Sequence, residues 1–287
     1  MKWLFICAHP DDLEFFTGYL EHTIGSQNPN PQLITQYIGS GQIHEIIIAS
    51  MTRGEMSGFT TKIKSTKRAA EIRTKELQQS CHILGVPAPI FLGFFDGFVR
   101  VTNAAIEKIQ LLIENVHPDI VIAPEPVFTY YSHQDHMRTG KIVFYALMRI
   151  QKKNKTRKPL ERIRIPCLYY FGAFFNHFYF PKHPTSKATI EAALATHQSQ
   201  QDVLLPARIP AIITGRLNGR KTPGYGSAEA LRRQYLPGRD NPDRRASLYR
   251  DFSVLRRILY YLIHSGKNSR EYGPRMTFFD GTLPPDF

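Results

Sequence analysis

Three cysteines in 287 residues are too few and too scattered to build a disulfide framework. Cys7, Cys81 and Cys167 lie far apart and form no C-x-x-C pair, which excludes a zinc knuckle and reads as reduced, mostly buried thiols. Long apolar runs are missing too. Apolar runs such as "IIIA" at 46–49 are short, and none approaches the ~20 residues that span a bilayer. The opening "MKWLFICAHPDD" has one lysine and a brief apolar stretch before charge begins. A secretory core needs roughly 7–15 apolar residues, so a cytoplasmic location is expected. Acid is scarce overall, with 24 Asp and Glu against 37 Lys and Arg for a formal net charge of +13. The excess is uneven, since "RIQKKNKTRKPLERIRI" (149–165) contains one acid, Glu161. Such a surface suits an anionic substrate, a membrane surface met peripherally, or solvent. No nucleic-acid motif accompanies it, which sets that partner aside.

What is present is a strand and helix alternation. "KWLFICA" (2–8), "HEIIIASMT" (44–52), "PIFLG" (89–93) and "PDIVIAPE" (118–125) read as strands. Between and after them, 12–25, 64–85 (with Gly85 as a stop), 103–116 and 133–150 carry apolar residues at helical spacing. The expected fold is α/β: a Rossmann-like, doubly wound, mostly parallel sheet with helices on both faces. No G-x-G-x-x-G follows the first strand, so a dinucleotide is not indicated. A main domain is expected over 1–235, with 149–165 as a basic linker. Within it "CLYYFGAFF" (167–175) reads as a strand, and 186–200 and 227–236 as helices. Residues 236–287, rich in Arg, Pro and Gly, read as a less regular C-terminal extension.

Ligand-type side chains are concentrated in two short segments. "CAHPDDLE" (7–14) puts His9, Asp11, Asp12 and Glu14 just past the first strand, and "YSHQDHM" (131–137) puts His133, Asp135 and His136 just past the fourth. Ligands of doubly wound sheets gather at the carboxyl ends of strands. If those two strands are neighbours, His9, Asp12 and His136 surround one point. Two imidazoles and a carboxylate with a vacant position form the catalytic zinc arrangement, whereas structural sites close with four ligands. Helix service competes with this reading. Asp11 and Asp12 suit a helix N-terminus, and Ser132 with Asp135 fits an S-x-x-D capping box. Two such clusters at equivalent strand ends favour the metal.

"AHPDDLE", "MTRGEMSG" (51–58) and "SHQDH" (132–136), with the weaker "ALATHQSQ" (193–200) and "YGSAEAL" (225–231), resemble the PIG-L/LmbE-like family of zinc-dependent N-deacetylases. The resemblance spans residues 2 to about 235. It implies one Zn²⁺ per chain, other divalent metals remaining open, on His9, Asp12 and His136. It implies Asp11 as general base, His133 beside the scissile carbonyl and Asp135 fixing the tautomer of His133. Arg53 and Asp96 would contact hydroxyls or a phosphate of the substrate. Glu14 would tune the ligands or touch substrate, unless it is only a first-turn helix acid. The implied substrate is an N-acetylglucosamine-type conjugate, and the excess positive charge suits an anionic aglycone on it. A homo-oligomer is common among similar proteins. His197 gains a role near the site only through "HQSQ"; the other histidines outside the two clusters read as structural.

The chemistry accounts for these residue types. Zn²⁺ lowers the pKa of bound water to ~7 and polarises a carbonyl. A nearby carboxylate takes the water proton and delivers it to the departing amine, and an imidazole donor offsets charge on the tetrahedral oxygen. Three rivals stand beside this reading. A non-haem iron oxygenase uses the same ligand types, but the H-x-x-D spacing and the adjacent Asp11 suit hydrolysis better. A two-metal phosphoesterase needs more carboxylates. A catalytically inactive, polyanion-binding relative would keep only the fold. The aromatic stretch "FGAFFNHFYFPKHPTSK" (171–187) departs from the family pattern and leaves the substrate-facing loop open.

Overall fold

The first strand, β1 (Lys2–Cys7), is apolar at nearly every position because both of its faces are covered. Leu4 and Ile6 point to one side of the sheet and Trp3, Phe5 and Cys7 to the other. The computed structural model describes residues 1–20, 45–56, 63, 65–127, 129, 133–173, 176, 178–182, 184–220, 226–234 and 236. The expected loop at 27–32, the helix end at 21–25, Ser132 and the extension beyond Leu236 lie outside them.

Six more strands follow: β2 (Glu45–Ser50), β3 (Ile90–Phe91), β4 (Ile120–Pro124), β5 (Cys167–Phe171), β6 (Phe178–Pro181) and β7 (Ala228–Gln234). Their order is β3-β2-β1-β4-β5-β7-β6. The first five strands in that order are parallel, and β7 runs antiparallel to both neighbours. In register, Trp3 faces Ile120 and Phe5 faces Ile122, while Cys7 faces Ser50. β1 and β4 are therefore neighbours, and the winding direction reverses between them. Switch points of this kind leave a crevice at the carboxyl ends of the strands.

The helices are α1 (Asp12–Phe16), α2 (Thr66–Leu84), α3 (Asn103–Val116), α4 (Gln134–Asn154), α5 (Lys187–Ala195) and α6 (Gln201–Gly219). On one face α3 supplies Ile106, Ile109 and Ile113, and α4 supplies Ile142, Val143 and Leu147. On the other, α1 supplies Leu13 and Phe16, α2 Leu77 and Cys81, and α5 Ile190. Full burial of a side chain such as Phe5 contributes about 1.5–3 kcal/mol. Capping sets the helix ends. Ser65 Oγ accepts the Arg68 N–H to open α2, Thr102 Oγ1 accepts the Ala105 N–H to open α3, and Gly85 closes α2 at φ +74°. No helix among the described residues is long and apolar enough to cross a membrane.

Three expectations need correction. Residues 227–236, read as a helix, contain strand β7. The helix preference of Ala, Leu and Arg amounts to under about 0.7 kcal/mol per residue, and pairing with β5 and β6 on both edges overrides it. The basic stretch is not a free linker. Its first residues, Arg149 to Asn154, end α4, and the rest turns back through a short 3₁₀ segment (Pro159–Glu161). There Arg157 pairs with Glu114 at 2.9 Å and Arg164 with Asp119. Helix α1 is also shorter than expected, breaking at Thr17 before helical backbone resumes at 18–20.

Candidate active site at the switch point

The loop after β1 and the start of α4 meet across the switch point. Asp12 Oδ2 accepts the N–H groups of Ala8 and His9 at 2.8 and 2.9 Å, which curls the loop and aims Oδ1 inward. Helix α4 reaches the same point because Gly140 lets it lie against the end of β4. A Cβ at Gly140 would stand 2.2 Å from the Pro124 carbonyl oxygen.

His9 Nδ1 and His136 Nε2 are 2.9 Å apart, His136 Nε2 and Asp12 Oδ1 3.0 Å, and His9 Nδ1 and Asp12 Oδ1 3.8 Å. Ligand atoms about 2.0–2.2 Å from a shared tetrahedral ion sit about 3.3 Å apart. The triangle fits that spacing, and all three residues are buried. His9 also joins two further groups whose ligand atoms lie within 4.8 Å of one another: His9, His133 and His136, and His9, Asp96 and Asp135.

Neighbouring charges shift the ionisation of these groups. Burial pushes the Asp12 carboxyl up, but His136 and His9 more than reverse this and hold it well below its ordinary value. Burial pulls the His9 imidazole down, and the carboxylates of Asp12, Asp135 and Asp96 raise it well above the histidine range. Asp96 is lowered to about 2, since His9, Arg73 and the Met56 N–H outweigh its burial.

The remaining expected residues are placed as follows. Asp11 Oδ1 accepts from Arg73 Nη2 at 2.6 Å. His133 is exposed at the rim and caps α4; its Nδ1 accepts the Asp135 N–H at 3.3 Å. Its pKa falls to about 4, through desolvation of the ring by its neighbours first and then the charges on His9 and His136. The Asp135 carboxylate does not reach back to that ring. Asp135 Oδ2 accepts the Gly97 N–H at 2.6 Å and stands 3.6 Å from His9 Nε2, so the backbone, not the side chain, fixes the His133 tautomer. Asp96, expected at the substrate, puts Oδ1 3.0 Å from His9 Nε2 and takes the Met56 N–H on Oδ2. A carboxylate behind a ligating imidazole is a common support for metal sites. Arg53 bonds Thr74 and lies over the Phe91 ring at 4.4 Å, away from these contacts. Glu14, also expected at the substrate, has a fully buried side chain paired with His197 at 3.3 Å.

Sequence reasoning missed Arg73. It is 3% exposed and takes its place in the buried stripe Ala69, Arg73, Leu77, Cys81 of α2. A charge at an apolar position of helical spacing was the available signal. Gly54 serves Arg73: at φ +71° it leaves open the space that the guanidinium fills.

Similar proteins can be set beside this geometry. A diacetylchitobiose deacetylase of Thermococcus kodakarensis is 28% identical over 68% of this chain and 73% of its own. A 1D-myo-inositol 2-acetamido-2-deoxy-alpha-D-glucopyranoside deacetylase of Mycobacterium leprae is 26% identical over 51% of this chain, which spans about half its length. Among solved structures, the N,N'-diacetylchitobiose deacetylase of Pyrococcus horikoshii has a TM-score of 0.66 at 23% identity, covering 81% of this chain and 83% of that one. The 4-carboxy-2-hydroxymuconate hydratase GalB of Pseudomonas putida reaches 0.64 at 15% identity, covering 84% and 99%. One fold thus carries different chemistries. Residues 4–147, half of the chain, match the family described as "PIG-L: GlcNAc-PI de-N-acetylase", and this chain belongs to that family.

Proposed function

We propose that the protein is a zinc-dependent hydrolase that removes the N-acetyl group from an N-acetylglucosamine-type conjugate. The observation that carries the reading is the buried triangle of His9 Nδ1, His136 Nε2 and Asp12 Oδ1 beside the carboxylate of Asp11. Family membership and relatives named as deacetylases, at 25–28% identity, favour amide hydrolysis over the iron-oxygenase chemistry the same ligands would permit. The net charge of +13 suits an anionic group on the conjugate.

His9, Asp12 and His136 would hold the ion, which supplies a water of lowered pKa and a Lewis acid for the amide carbonyl. Two nitrogens and one oxygen donor, with a coordination face left over, match a catalytic zinc site. Arg73 occupies one oxygen of Asp11 and leaves the other to receive the proton of the attacking water. As the C–N bond breaks, Asp11 returns that proton to the amine, and acetate departs. His133 accepts the Asp135 N–H at Nδ1, so its proton sits on Nε2. A neutral imidazole in this tautomer donates to the tetrahedral oxygen without first becoming charged.

The test pairs metal analysis with amine release from a panel of N-acetylglucosaminides. Chelation should abolish turnover and Zn²⁺ should restore it. Asp11→Asn should keep its metal and lose about 10²–10⁴ in kcat, whereas His136→Ala should lose metal and turnover together. Full activity in Asp11→Asn would refute the role given to that residue.

A further inference from the structure

The reaction as derived leaves the buried ionisable pair Glu14 and His197, close to Asp11, without a task. Glu14 Oε1 and His197 Nε2 stand 3.3 Å apart with side chains fully buried. Neither Glu14 oxygen and neither His197 nitrogen has an aligned hydrogen bond among the described residues. Burial pulls the His197 imidazole toward neutrality, and Glu14 more than reverses this, raising its pKa. A buried ion pair is seldom the most stabilising filling for its space, because desolvating two charges offsets most of their attraction. Two apolar side chains would serve packing better.

The pair closes a ring of polar contacts around the loop after β1. His197 sits in the turn between α5 and α6. That turn is held on α2 through Glu76, which accepts from Ser199 N at 2.8 Å and Ser199 Oγ at 2.6 Å, while the Glu76 carbonyl accepts from Thr196 Oγ1. Arg73, one turn earlier on α2 and on the same face, donates to Asp11. Glu14 lies on α1, three residues beyond Asp11, and meets His197. Asp11 is thus gripped from two directions, by Arg73 directly and by the Glu14–His197 contact through α1. Asp12 has independent support from the Ala8 and His9 N–H groups.

We propose that Glu14 and His197 are positioning residues that fix where the free oxygen of Asp11 stands relative to the His9–Asp12–His136 triangle. Its catalytic consequence rests on the deacetylase reading given above. The ring bears mainly on Asp11, because Asp12 is also held by the Ala8 and His9 N–H groups.

The test uses the full-length, zinc-loaded protein with Glu14→Gln, His197→Gln and the double variant, each checked for folding by circular dichroism. In both single variants kcat should fall at least about 10-fold, in line with the loss that a small misplacement of a reacting group produces. KM and zinc affinity should stay within about threefold of the parent. The double variant should be no slower than the worse single, since the two act as one unit. It also removes the uncompensated charge that could unfold a single variant, so a folded protein remains to be measured. Hydrogen exchange at residues 9–16 gives a readout independent of turnover and should accelerate in all three. Folded variants with kcat within twofold of the parent would overturn the proposal, as would zinc affinity falling in parallel with kcat. If the parent itself released no amine from any glucosaminide, the deacetylase reading would fail on its own. The exchange comparison would then decide positioning, and unchanged exchange would refute it.

Discussion

The guanidinium of Arg73 lies where a side chain on Gly54 would be. A Cβ at Gly54 would stand 2.1 Å from Arg73 Nη1, while Nη2 of the same group holds Asp11 at 2.6 Å. Gly54 is also at φ +71°, which side chains tolerate poorly. Gly54→Ala is therefore expected to displace Arg73 and release Asp11, lowering kcat by about 10² with zinc still bound. Steady-state kinetics with metal analysis checks this, and unchanged turnover would show that Arg73 does not orient Asp11.

His133 separates two ligand sets. It joins His9 and His136 in a group whose ligand atoms lie within 4.8 Å of one another, yet it is exposed and caps α4. His133→Ala should keep zinc at parental occupancy and lose about 10²–10³ in kcat, the usual loss for a donor to a tetrahedral oxygen. Loss of zinc in this variant would make His133 a ligand.

Strand β7 is locked to the parallel sheet by charge. Arg232 Nε and Nη2 meet the two Glu125 oxygens at 2.5 and 3.0 Å, both residues are buried, and Arg232 lies over the Tyr170 ring at 5.0 Å. Removing one partner strands the other charge in the interior. Arg232→Met should cost about 3–5 kcal/mol in denaturant unfolding, and Arg232→Met with Glu125→Leu should recover much of it. A single variant as stable as the parent would contradict this.

Glu229 on β7 gives the pH dependence a sign. Burial raises its pKa from 4.5 to about 7, against Lys182 and the N–H groups of Tyr19 and Leu20. A raised folded pKa means the folded state binds the proton more tightly than the unfolded chain. That stabilisation is complete below pH 4.5 and disappears as pH rises through about 7. Between pH 5 and 8 the parent should lose up to about 3 kcal/mol relative to Glu229→Gln, at about 1.4 kcal/mol per unit. Urea midpoints at the two pH values test this, and parallel pH profiles would exclude it.

Local patterns carried most of the core and brought out the candidate ligands. Apolar runs marked β1, β2 and β4, and Ser65, Thr102 and Gly85 set helix boundaries, because these signals act within a few residues. β7 was misread because its strand state comes from partners over forty residues away and not from its own propensities. Arg73 went unseen because its meaning lies in Gly54 and Asp11, which come from other loops. Asp96 and Asp135 were legible as candidate site residues, but which atoms they face was not.

The sequence by itself determined that two His and Asp clusters follow strands in an alternating α/β chain, since strand ends, caps and ligand spacings are local. Only the tertiary structure decided that β1 and β4 lie side by side and that Asp135 turns toward Gly97 and His9. It alone buried Glu14 against His197. Contacts between distant segments depend on how the sheet winds and how helices pack on it, and no short stretch of sequence contains that information.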